Sequence, residues 1–320
     1  MISFTRWSSA LALTLGLSLS AHAWPDRAVK VVVPYGAGGM GDIVARLLGE
    51  DLRAALGQPV IIENRPGAGG NIGAAAVERA APDGYTLLVV PTNNLVVNQF
   101  LYKKLGYDPL VAFEPVSFLI NVPSVLFVQP AIGRDFAEFS AKAKAQKGKL
   151  NFGSPGNGTT PHLSMQAINQ AMGWGMIHVP FQGAAPAIVS LLGGDIQAYV
   201  GGAGLALQHV QGGKLVAAAV SSGKRLAVLP QTPTFAEVGM GSIKASNWWA
   251  MVAPKGTPPD VVERLNAALR EALNRPQNLV RFEQLGVEAY PTSPKEMAQQ
   301  LAEEAVFWKS AVAQAGVSLD

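Results

Sequence analysis

Three glycine-rich segments are the part of this sequence best suited to binding a small molecule. Residues 34–41 (PYGAGGMG), 64–70 (NRPGAGG) and 153–160 (GSPGNGTT) each follow an apolar run and precede a run with helical spacing. Glycine lets the backbone approach a ligand closely, and the start of a helix presents free N–H groups that carry about half a positive charge. Each segment therefore predicts a site for an anion.

Few charged residues accompany these segments. The first and third contain no lysine or arginine, so an anion would be bound by backbone amides, hydroxyls and water. Such a site suits a carboxylate better than a polyphosphate. Arg65 in the second segment could supply a counter-charge, but a surface ion pair with Glu63 or Asp83 is the stronger expectation. Because a glycine-rich turn before a helix is often only a cap, the inference depends on all three segments together.

The first 23 residues have the pattern of an export signal. Arg6 gives a positive start, residues 10–20 (ALALTLGLSLS) are apolar, and residues 21–23 (AHA) form a small-x-small cleavage site. The apolar stretch is shorter than the ~20 residues that a bilayer-spanning helix needs. We expect cleavage after Ala23, a mature chain that begins at Trp24, and a periplasmic location.

A competing interpretation is a dinucleotide site. Gly36, Gly38 and Gly41 spell G-x-G-x-x-G after an apolar run, and Glu63 ends the next apolar run. However, a proline and a tyrosine lengthen the turn before the first glycine, and an exported protein has little access to nicotinamide cofactors. The carboxylate site is favoured, and we expect no cofactor.

Catalytic motifs are missing from the sequence. Ser154 lacks the G-x-S-x-G frame because residue 152 is phenylalanine, and no H-E-x-x-H occurs. The histidines at 162, 178 and 209 have no metal-ligand spacing, so we expect no catalytic residue and no metal. An exported enzyme acting on a carboxylate or ester stays open as an alternative. Its candidate acids and bases are Asp42, His162 and Asp195.

Composition excludes several other classes. The chain has 320 residues, of which 49% are hydrophobic and 15% charged, and it contains no cysteine. This composition is globular, and it rules out zinc fingers, iron–sulfur clusters and disulfide scaffolds. The net charge of +3 is spread along the chain without a basic block, so we expect no nucleic-acid partner.

The elements that must position the glycine segments alternate between strands and helices. Apolar runs predict strands at 29–33, 60–62, 85–90, 125–128, 150–152, 177–179, 196–200, 215–221 and 248–253. Apolar residues at helical spacing predict helices at 42–56, 71–80, after 94, and at 135–147, 161–172, 184–192, 259–274, 276–285 and 294–315. This alternation indicates an α/β protein with parallel sheets covered on both faces, and the length suggests two domains. Ligands of such sheets bind beyond the carboxyl ends of the strands, where the glycine segments fall.

At these residues the sequence resembles the periplasmic solute-binding proteins of tripartite tricarboxylate transporters, the Bug or TctC-like family. The resemblance covers essentially the whole chain after residue 23. Its most specific match is 57–73 (GQPVIIENRPGAGGNIG), followed by 82–87 (PDGYTL). Supporting matches are 33–42 (VPYGAGGMGD), 107–109 (YDP), 153–163 (GSPGNGTTPHL), 178–186 (HVPFQGAAP), 212–215 and Trp308.

The resemblance implies a two-domain, type II periplasmic-binding-protein fold that closes like a flytrap around a small organic acid. In this family a ligand carboxylate is bound by the first two glycine segments, partly through ordered waters. Carried over, the ligand-binding residues are Tyr35, Gly36, Ala37, Gly38, Gly39, Asp42, Pro66, Gly67, Ala68, Gly69, Gly70, Thr92, Asn93, Ser154, Asn157, Gly158, Thr159, Phe181 and Gly183.

Some residues depart from the family pattern around that pocket. Gly41 precedes Asp42 where the family often has threonine or serine, so a hydroxyl is missing. Phe181-Gln182 stands where Tyr-Lys is common, and residues 201–205 (GGAGL) are small and apolar. We therefore expect the far end of the ligand to be bulky or apolar.

The expected domains are residues 24–122 with 247–320, and residues 123–246. Hinge crossings are expected near 122–123 and 246–248. Trp248 and Trp249 either line the cleft or pack against the C-terminal helices. The resemblance implies a receptor without enzymatic activity that passes its ligand to membrane permease subunits, and a receptor that hinges and docks is expected to be a monomer. The ligand stays open among mono-, di- and tricarboxylates, acidic amino acids and aromatic acids.

Overall fold

The computed structural model describes residues 24–181, 183–245 and 247–319. The predicted export signal, Gln182, Ser246 and Asp320 lie outside these ranges. Within them, no helix has both the length and the apolar character needed to cross a lipid bilayer.

The strands of the described chain occupy short segments from residue 29 to residue 289. They are β1 (Val29–Val33), β2 (Val60–Asn64), β3 (Thr86–Pro91), β4 (Phe113–Val122), β5 (Ser124–Val128), β6 (Asn151–Ser154), β7 (Ile177–Pro180), β8 (Ala198–Gly202), β9 (Val216–Val220), β10 (Asn247–Pro254) and β11 (Glu288–Ala289).

The helices connect these strands and complete the C-terminal part of the chain. They are α1 (Met40–Leu56), α2 (Asn71–Glu78), α3 (Phe136–Ala145), α4 (Thr160–Met172), α5 (Ala184–Gly193), α6 (Leu207–Gln211), α7 (Pro259–Leu273), α8 (Pro276–Leu285) and α9 (Pro294–Ala315). Short 3-10 turns occur at Ala68–Gly70, Asn98–Phe100 and Ala203–Leu205, and a π-helical turn at Asn93–Val97.

Two mixed sheets organise the molecule. The first has the order β11-β4-β10-β3-β1-β2, and the second has the order β7-β6-β8-β5-β9. In the first sheet β1 runs parallel to β2 and β3, whereas β10 runs antiparallel to β3 and β4. The expected two-domain α/β fold with parallel or mixed sheets is confirmed, and the first sheet is mixed because β10 enters it in the opposite direction after the chain returns from the second. We call the two sheets with their helices the first and second lobes.

Strand β1 shows why the first sheet forms where it does. Its sequence VKVVV buries valines on both faces, as central parallel strands do. Val31 and Val33 pack with Leu48 of α1 and Leu265 of α7. Val32 packs on the opposite face, in the core that includes α9. The first lobe therefore has one core on each side of its sheet.

Most predicted elements are confirmed within one or two residues, but β4 was missed. Its sequence FEPVSFLINV places glutamate, proline and serine among the apolar residues, which hides the strand pattern. Pro115 lies opposite Val252 next to a register irregularity in the pairing with β10. A proline is tolerated at such a bulge because a ladder hydrogen bond is already missing there. The helix predicted after residue 94 is also replaced, by the π-helical and 3-10 turns.

The chain changes sheets in two places. It leaves the first sheet after Val122 and enters the second at Ser124, and it returns between Val220 and Asn247. On one side of the molecule α4 of the second lobe packs against α9 of the first. On the other side Gly204 lies against Gly286, where a Cβ would be 3.8 Å from the Gly204 amide nitrogen. A hydrogen bond between Asn93, which follows β3, and Thr160, which follows β6, also joins the lobes, so the carboxyl ends of these two strands face the same interface.

Candidate functional site

The first two glycine segments are joined by side chains at the carboxyl edge of the first sheet. The Tyr35 hydroxyl, just after β1, lies 3.0 Å from the Gly69 carbonyl oxygen and 2.8 Å from Asn94 Oδ1. Asn94 Nδ2 donates to the same Gly69 carbonyl at 3.0 Å. Asn64 Nδ2 donates to the Tyr35 carbonyl oxygen at 3.1 Å. The predicted ligand residues of these two segments therefore belong to one connected surface.

The second segment has an unusual backbone. Gly67, Ala68, Gly69 and Gly70 have φ values of 135°, 46°, 63° and 90°, and Ala68 is the only non-glycine with positive φ among the described residues. A Cβ on Gly70 would also lie 2.9 Å from the side-chain nitrogen of Asn94, so no side chain fits there. Sparsely populated conformations of this kind persist where surrounding contacts hold them, and they cluster at ligand-binding sites.

Asp42 shapes the first segment from within. Its carboxylate accepts a hydrogen bond from the Gly38 N–H at 2.9 Å and one from Arg46 Nε at 2.9 Å, and the residue is 4% exposed. The Arg46 hydrogen bond, together with the one from Gly38, lowers the pKa of Asp42 against the opposing effect of burial. Asp42 is therefore ionised at neutral pH and paired, which does not suit a general acid or base.

Gly41 is required by a contact with Trp249. A Cβ at position 41 would lie 2.1 Å from Trp249 Cζ3, in steric overlap with the indole ring. Trp249 is 7% exposed, and its ring meets the Tyr35 ring edge-on at 5.6 Å between centroids. The indole thus fills the space that a side chain at position 41 would need, which explains the missing hydroxyl. Trp248 instead faces α9, where its Nε1 donates to Glu304.

Three consecutive residues after β3 make three different connections. Thr92 is fully buried, and its hydroxyl pairs with the backbone N–H and carbonyl of Trp248 at 3.0 and 3.3 Å. Asn93 Oδ1 accepts from the Thr160 hydroxyl of the second lobe at 2.5 Å. Asn94 holds the glycine segments as described above. The π-helical turn that contains Asn93 and Asn94 is a rare structure found often at functional sites.

The third glycine segment closes around two histidines. Ser154 Oγ lies 2.7 Å from His178 Nε2, and the Gly158 N–H donates to His162 Nδ1 at 3.2 Å. The two imidazoles stack with centroids 3.8 Å apart. Burial lowers the pKa of each to about 4, and the His178 charge contributes at His162. Both rings are neutral near pH 7.

This arrangement does not favour a nucleophilic serine. Ser154 is fully buried, and it also contacts the backbone of Gly156 at 3.1 and 3.2 Å. No described carboxylate is hydrogen-bonded to His178, so nothing there would orient or charge the imidazole as a base. Asp195 is exposed and precedes β8, at the opposite end of the sheet from the glycine segment. In the described ranges no three acidic or histidine side chains are grouped to hold a metal ion.

The remaining predicted residues lie at the same edge of the second sheet. Asn157 is exposed, Thr159 donates from its hydroxyl to the Gly156 carbonyl at 2.8 Å, and Gly158 packs beside Leu101 of the first lobe. Phe181 follows β7, with its ring against Gly153, and Gly183 precedes α5. Residues 201–205 comprise the last two residues of β8 and the short turn Ala203–Leu205 that follows it.

The charged side chains near the first two glycine segments form ion pairs. Glu63 forms ion pairs with Lys30 at 3.2 Å and with Arg65 at 3.4 Å, which confirms the expected surface pairing of Arg65. Glu63 is the acidic residue of the dinucleotide pattern, and its carboxylate is therefore already paired with two cations. Arg46 is bound to Asp42. The two joined glycine segments therefore present backbone amides without a dedicated cation, an arrangement that fits a carboxylate.

Sequence reasoning missed a buried hub beneath these segments. Asn71 Oδ1 accepts hydrogen bonds from Asn94 Nδ2 at 3.0 Å, Asn98 Nδ2 at 2.7 Å and the Tyr107 hydroxyl at 3.3 Å. The Tyr107 hydroxyl also lies 2.8 Å from the Asn94 carbonyl oxygen. The only signal in the sequence is the concentration of asparagines after the second segment and after β3, and that signal does not show that they converge.

Comparisons with known proteins agree with this geometry. The family model described as tripartite tricarboxylate transporter family receptor matches residues 44–317. Protein BugT of Bordetella pertussis is 35% identical over 94% of this chain and 93% of its own. The Rhodopseudomonas palustris protein MatC, solved with bound malate, is 33% identical, covers 90% of this chain and 100% of its own, and gives a TM-score of 0.72. Rpa4515 of R. palustris, solved with adipate, is 30% identical, covers 92% of this chain and 99% of its own, and gives a TM-score of 0.77. This chain therefore belongs to the receptor family of the tripartite tricarboxylate transporters.

Proposed function

We propose that this protein binds a small organic carboxylate between its two lobes and presents it to the membrane permease of a tripartite tricarboxylate transporter. The observation that supports this most directly is the joined surface of the first two glycine segments, whose nearby arginines, Arg46 and Arg65, are already paired with Asp42 and Glu63. Tyr35, Asn94 and Gly69 hold that surface in shape before any ligand arrives. Such preorganisation reduces the ordering cost of binding.

The proposed carboxylate site consists of backbone amides of the first and second segments. The second lobe supplies the opposite wall. The proposed contacts are Tyr35, Gly36, Ala37, Gly38, Gly39, Pro66, Gly67, Ala68, Gly69, Gly70, Asn93, Ser154, Asn157, Gly158, Thr159, Phe181 and Gly183, with Asp42 and Thr92 supporting them from buried positions. The two R. palustris relatives were solved with malate and adipate, which are both dicarboxylates, and these ligands support a small organic carboxylate of that size as the ligand class.

Ligand binding is proposed to close the lobes about the two chain crossings. The moving bodies are residues 24–122 with 247–320, and residues 123–246. A ligand shifts such an equilibrium only if it binds the closed form more tightly, so the second wall must add contacts on closure. We propose that the protein is exported to the periplasm through residues 1–23, acts there as a monomer, and releases its ligand unchanged.

A thermal-shift and calorimetric screen of residues 24–320 tests this function. Malate, adipate, citrate, glutamate, benzoate and NAD are the probes, and each solution is assayed afterwards for consumption of the probe. At one hundred times the dissociation constant a ligand adds about 2.7 kcal/mol of stability. Stabilisation by an acid without its consumption supports the receptor. Stabilisation by NAD alone, or turnover of an acid, contradicts it.

A matched pair of glycine variants locates the site. Gly70→Ala places a Cβ 2.9 Å from Asn94 at a φ of 90°, whereas Gly57→Ala places one in open space at a φ of 71°. Both variants lose about 1 kcal/mol of stability from backbone strain. Gly70→Ala loses more, because its Cβ also overlaps Asn94. Only Gly70→Ala should lose affinity for the acid, and equal affinity losses in both would remove the second segment from the site.

A further inference from the structure

The hydroxyl of Tyr199 is buried without a hydrogen-bond partner among the described residues. Tyr199 lies in β8, is fully buried, and packs in the core between the second sheet and α5. A buried hydroxyl loses its hydration on folding and is normally compensated by a partner. Burial also raises the pKa of Tyr199, so the group is a neutral O–H donor.

This hydroxyl points toward the carboxyl end of β8. A Cβ built on Gly201 would lie 3.3 Å from Tyr199 Oη and 2.9 Å from Leu205 Cδ1. The hydroxyl and the Leu205 side chain therefore approach each other over Gly201. Because β8 runs parallel to β6, this end of β8 lies at the same edge as Ser154 and the third glycine segment. The unpaired donor is thus at the cleft edge of the second lobe.

The Leu205 side chain lies beside the donor at this edge of the second lobe. Leu205 is 46% exposed and ends the short turn Ala203–Leu205. Gly153, the neighbour of Tyr199 in β6, has the Phe181 ring 3.3 Å from the position of its absent Cβ. Leu205 and the Phe181 ring are therefore two apolar side chains on this face of the second sheet. Rotation of the partly exposed Leu205 side chain is the proposed route by which a ligand oxygen reaches the hydroxyl.

The donor and the first glycine segment belong to the same side of the molecule. Gly204 sits against Gly286, which follows α8, whereas α4 packs against α9 on the other side of the molecule. The α5 side of the second lobe thus faces the side of the first lobe that carries α1 and Tyr35. A ligand whose carboxylate is held at the glycine segments would extend toward Tyr199.

The chemistry of this wall limits what it can accept. A second carboxylate placed against Phe181 and Leu205 would lose its hydration, and one neutral donor with no cation would not compensate. A carbonyl, ester or hydroxyl oxygen needs only one donor. We propose that the Tyr199 hydroxyl binds a neutral oxygen at the far end of the ligand, so that the protein selects monocarboxylates with such an oxygen on an apolar body. This inference rests on the proposed function, which places the acid group at the glycine segments.

The test compares monomethyl adipate, octanoate and adipate by calorimetry. Monomethyl adipate and octanoate have the same chain length and one carboxylate, but only the ester carries a neutral oxygen at its far end. We expect the ester to bind about tenfold more tightly than either other acid. In Tyr199→Phe, the affinity for the ester should fall close to the affinity for octanoate. An ester that binds no better than octanoate, or a preference that survives in Tyr199→Phe, would overturn the inference while leaving the receptor intact.

Urea unfolding of the ligand-free protein provides an independent test of the inference. Tyr199→Phe should be at least as stable as the unsubstituted chain, because it removes a hydroxyl without a partner. A lower stability would mean that the hydroxyl binds a buried water, and it would also overturn the inference. Tyr290→Phe is the matched control, since its hydroxyl bonds Gln300 at 2.5 Å in the first lobe; it should lose stability and keep the ester preference. If no acid binds the unsubstituted chain, the proposed function itself fails.

Discussion

The Tyr35 hydroxyl lies 3.0 Å from the carbonyl oxygen of Gly69, so the turn after β1 and the turn after β2 form one binding surface. Neither segment is held by its own sequence alone. Asn94, which follows β3, forms hydrogen bonds with both Tyr35 and Gly69. The proposed carboxylate site therefore depends on hydrogen bonds between segments that are distant in the chain.

Tyr35→Phe should weaken acid binding by about twofold to tenfold, since a neutral hydrogen bond contributes about 0.5–1.5 kcal/mol. Its effect acts through the position of the second segment, so calorimetry should show a smaller binding enthalpy and little change in fold. Tyr85→Phe removes a hydroxyl that bonds Asp26 on the surface and serves as the control. Unchanged affinity in Tyr35→Phe would argue against coupling between the two segments.

Asn71→Ala should destabilise the protein by about 1–3 kcal/mol, because it removes the shared acceptor of three buried donors. Acid affinity should fall in the same variant, since Asn94 loses one of its anchors. Urea unfolding and calorimetry measure the two effects. An Asn71→Ala protein that is less stable yet binds normally would show that the hub supports the fold and not the site.

Gly41→Ala should cost at least about 1–3 kcal/mol, the usual range for overpacking a core, because its Cβ would overlap the Trp249 ring. The cost should be much smaller in a Trp249→Leu background, where the ring is gone. A double-mutant cycle measured by urea unfolding gives the coupling. Additive effects would contradict a direct contact between the two positions.

Stability should fall as the pH drops from about 6.5 toward 4. His162 and His178 have folded pKa values of about 4, whereas an unfolded histidine has a pKa of about 6.5. The unfolded chain therefore binds more protons in this window, and the stabilisation present above it is lost as the pH falls. The expected loss between pH 7.5 and 5 is on the order of 1–3 kcal/mol.

Urea unfolding of His178→Asn at the same two pH values checks this origin. The variant removes one of the two titrating rings, so its loss of stability on acidification should be clearly smaller than that of the unsubstituted chain. An equally steep loss would assign the pH dependence to other groups.

The sequence predicted elements and segments well because their signals are local. β1 and α9 are recognisable from apolar spacing, and the structure adds a capping box at Ser293 and Glu296 at the start of α9. β4 was missed because its proline and polar residues are tolerated only by the pairing with β10. The Gly41–Trp249 contact and the Asn71 hub were missed for the same reason. Each depends on which distant strands become neighbours, and that information is not local.

The pairing of Asp42 with Arg46 also bears on how a ligand reaches this protein. Two opposite charges so close together produce only a short-range field, and salt screens what remains within about 10 Å. The Asp42–Arg46 pair accordingly adds little to the steering of anions from solution, and neutralising both residues together should leave the salt dependence of the association rate nearly unchanged. Selectivity among periplasmic acids would then arise from how slowly each one leaves, rather than from how often it arrives.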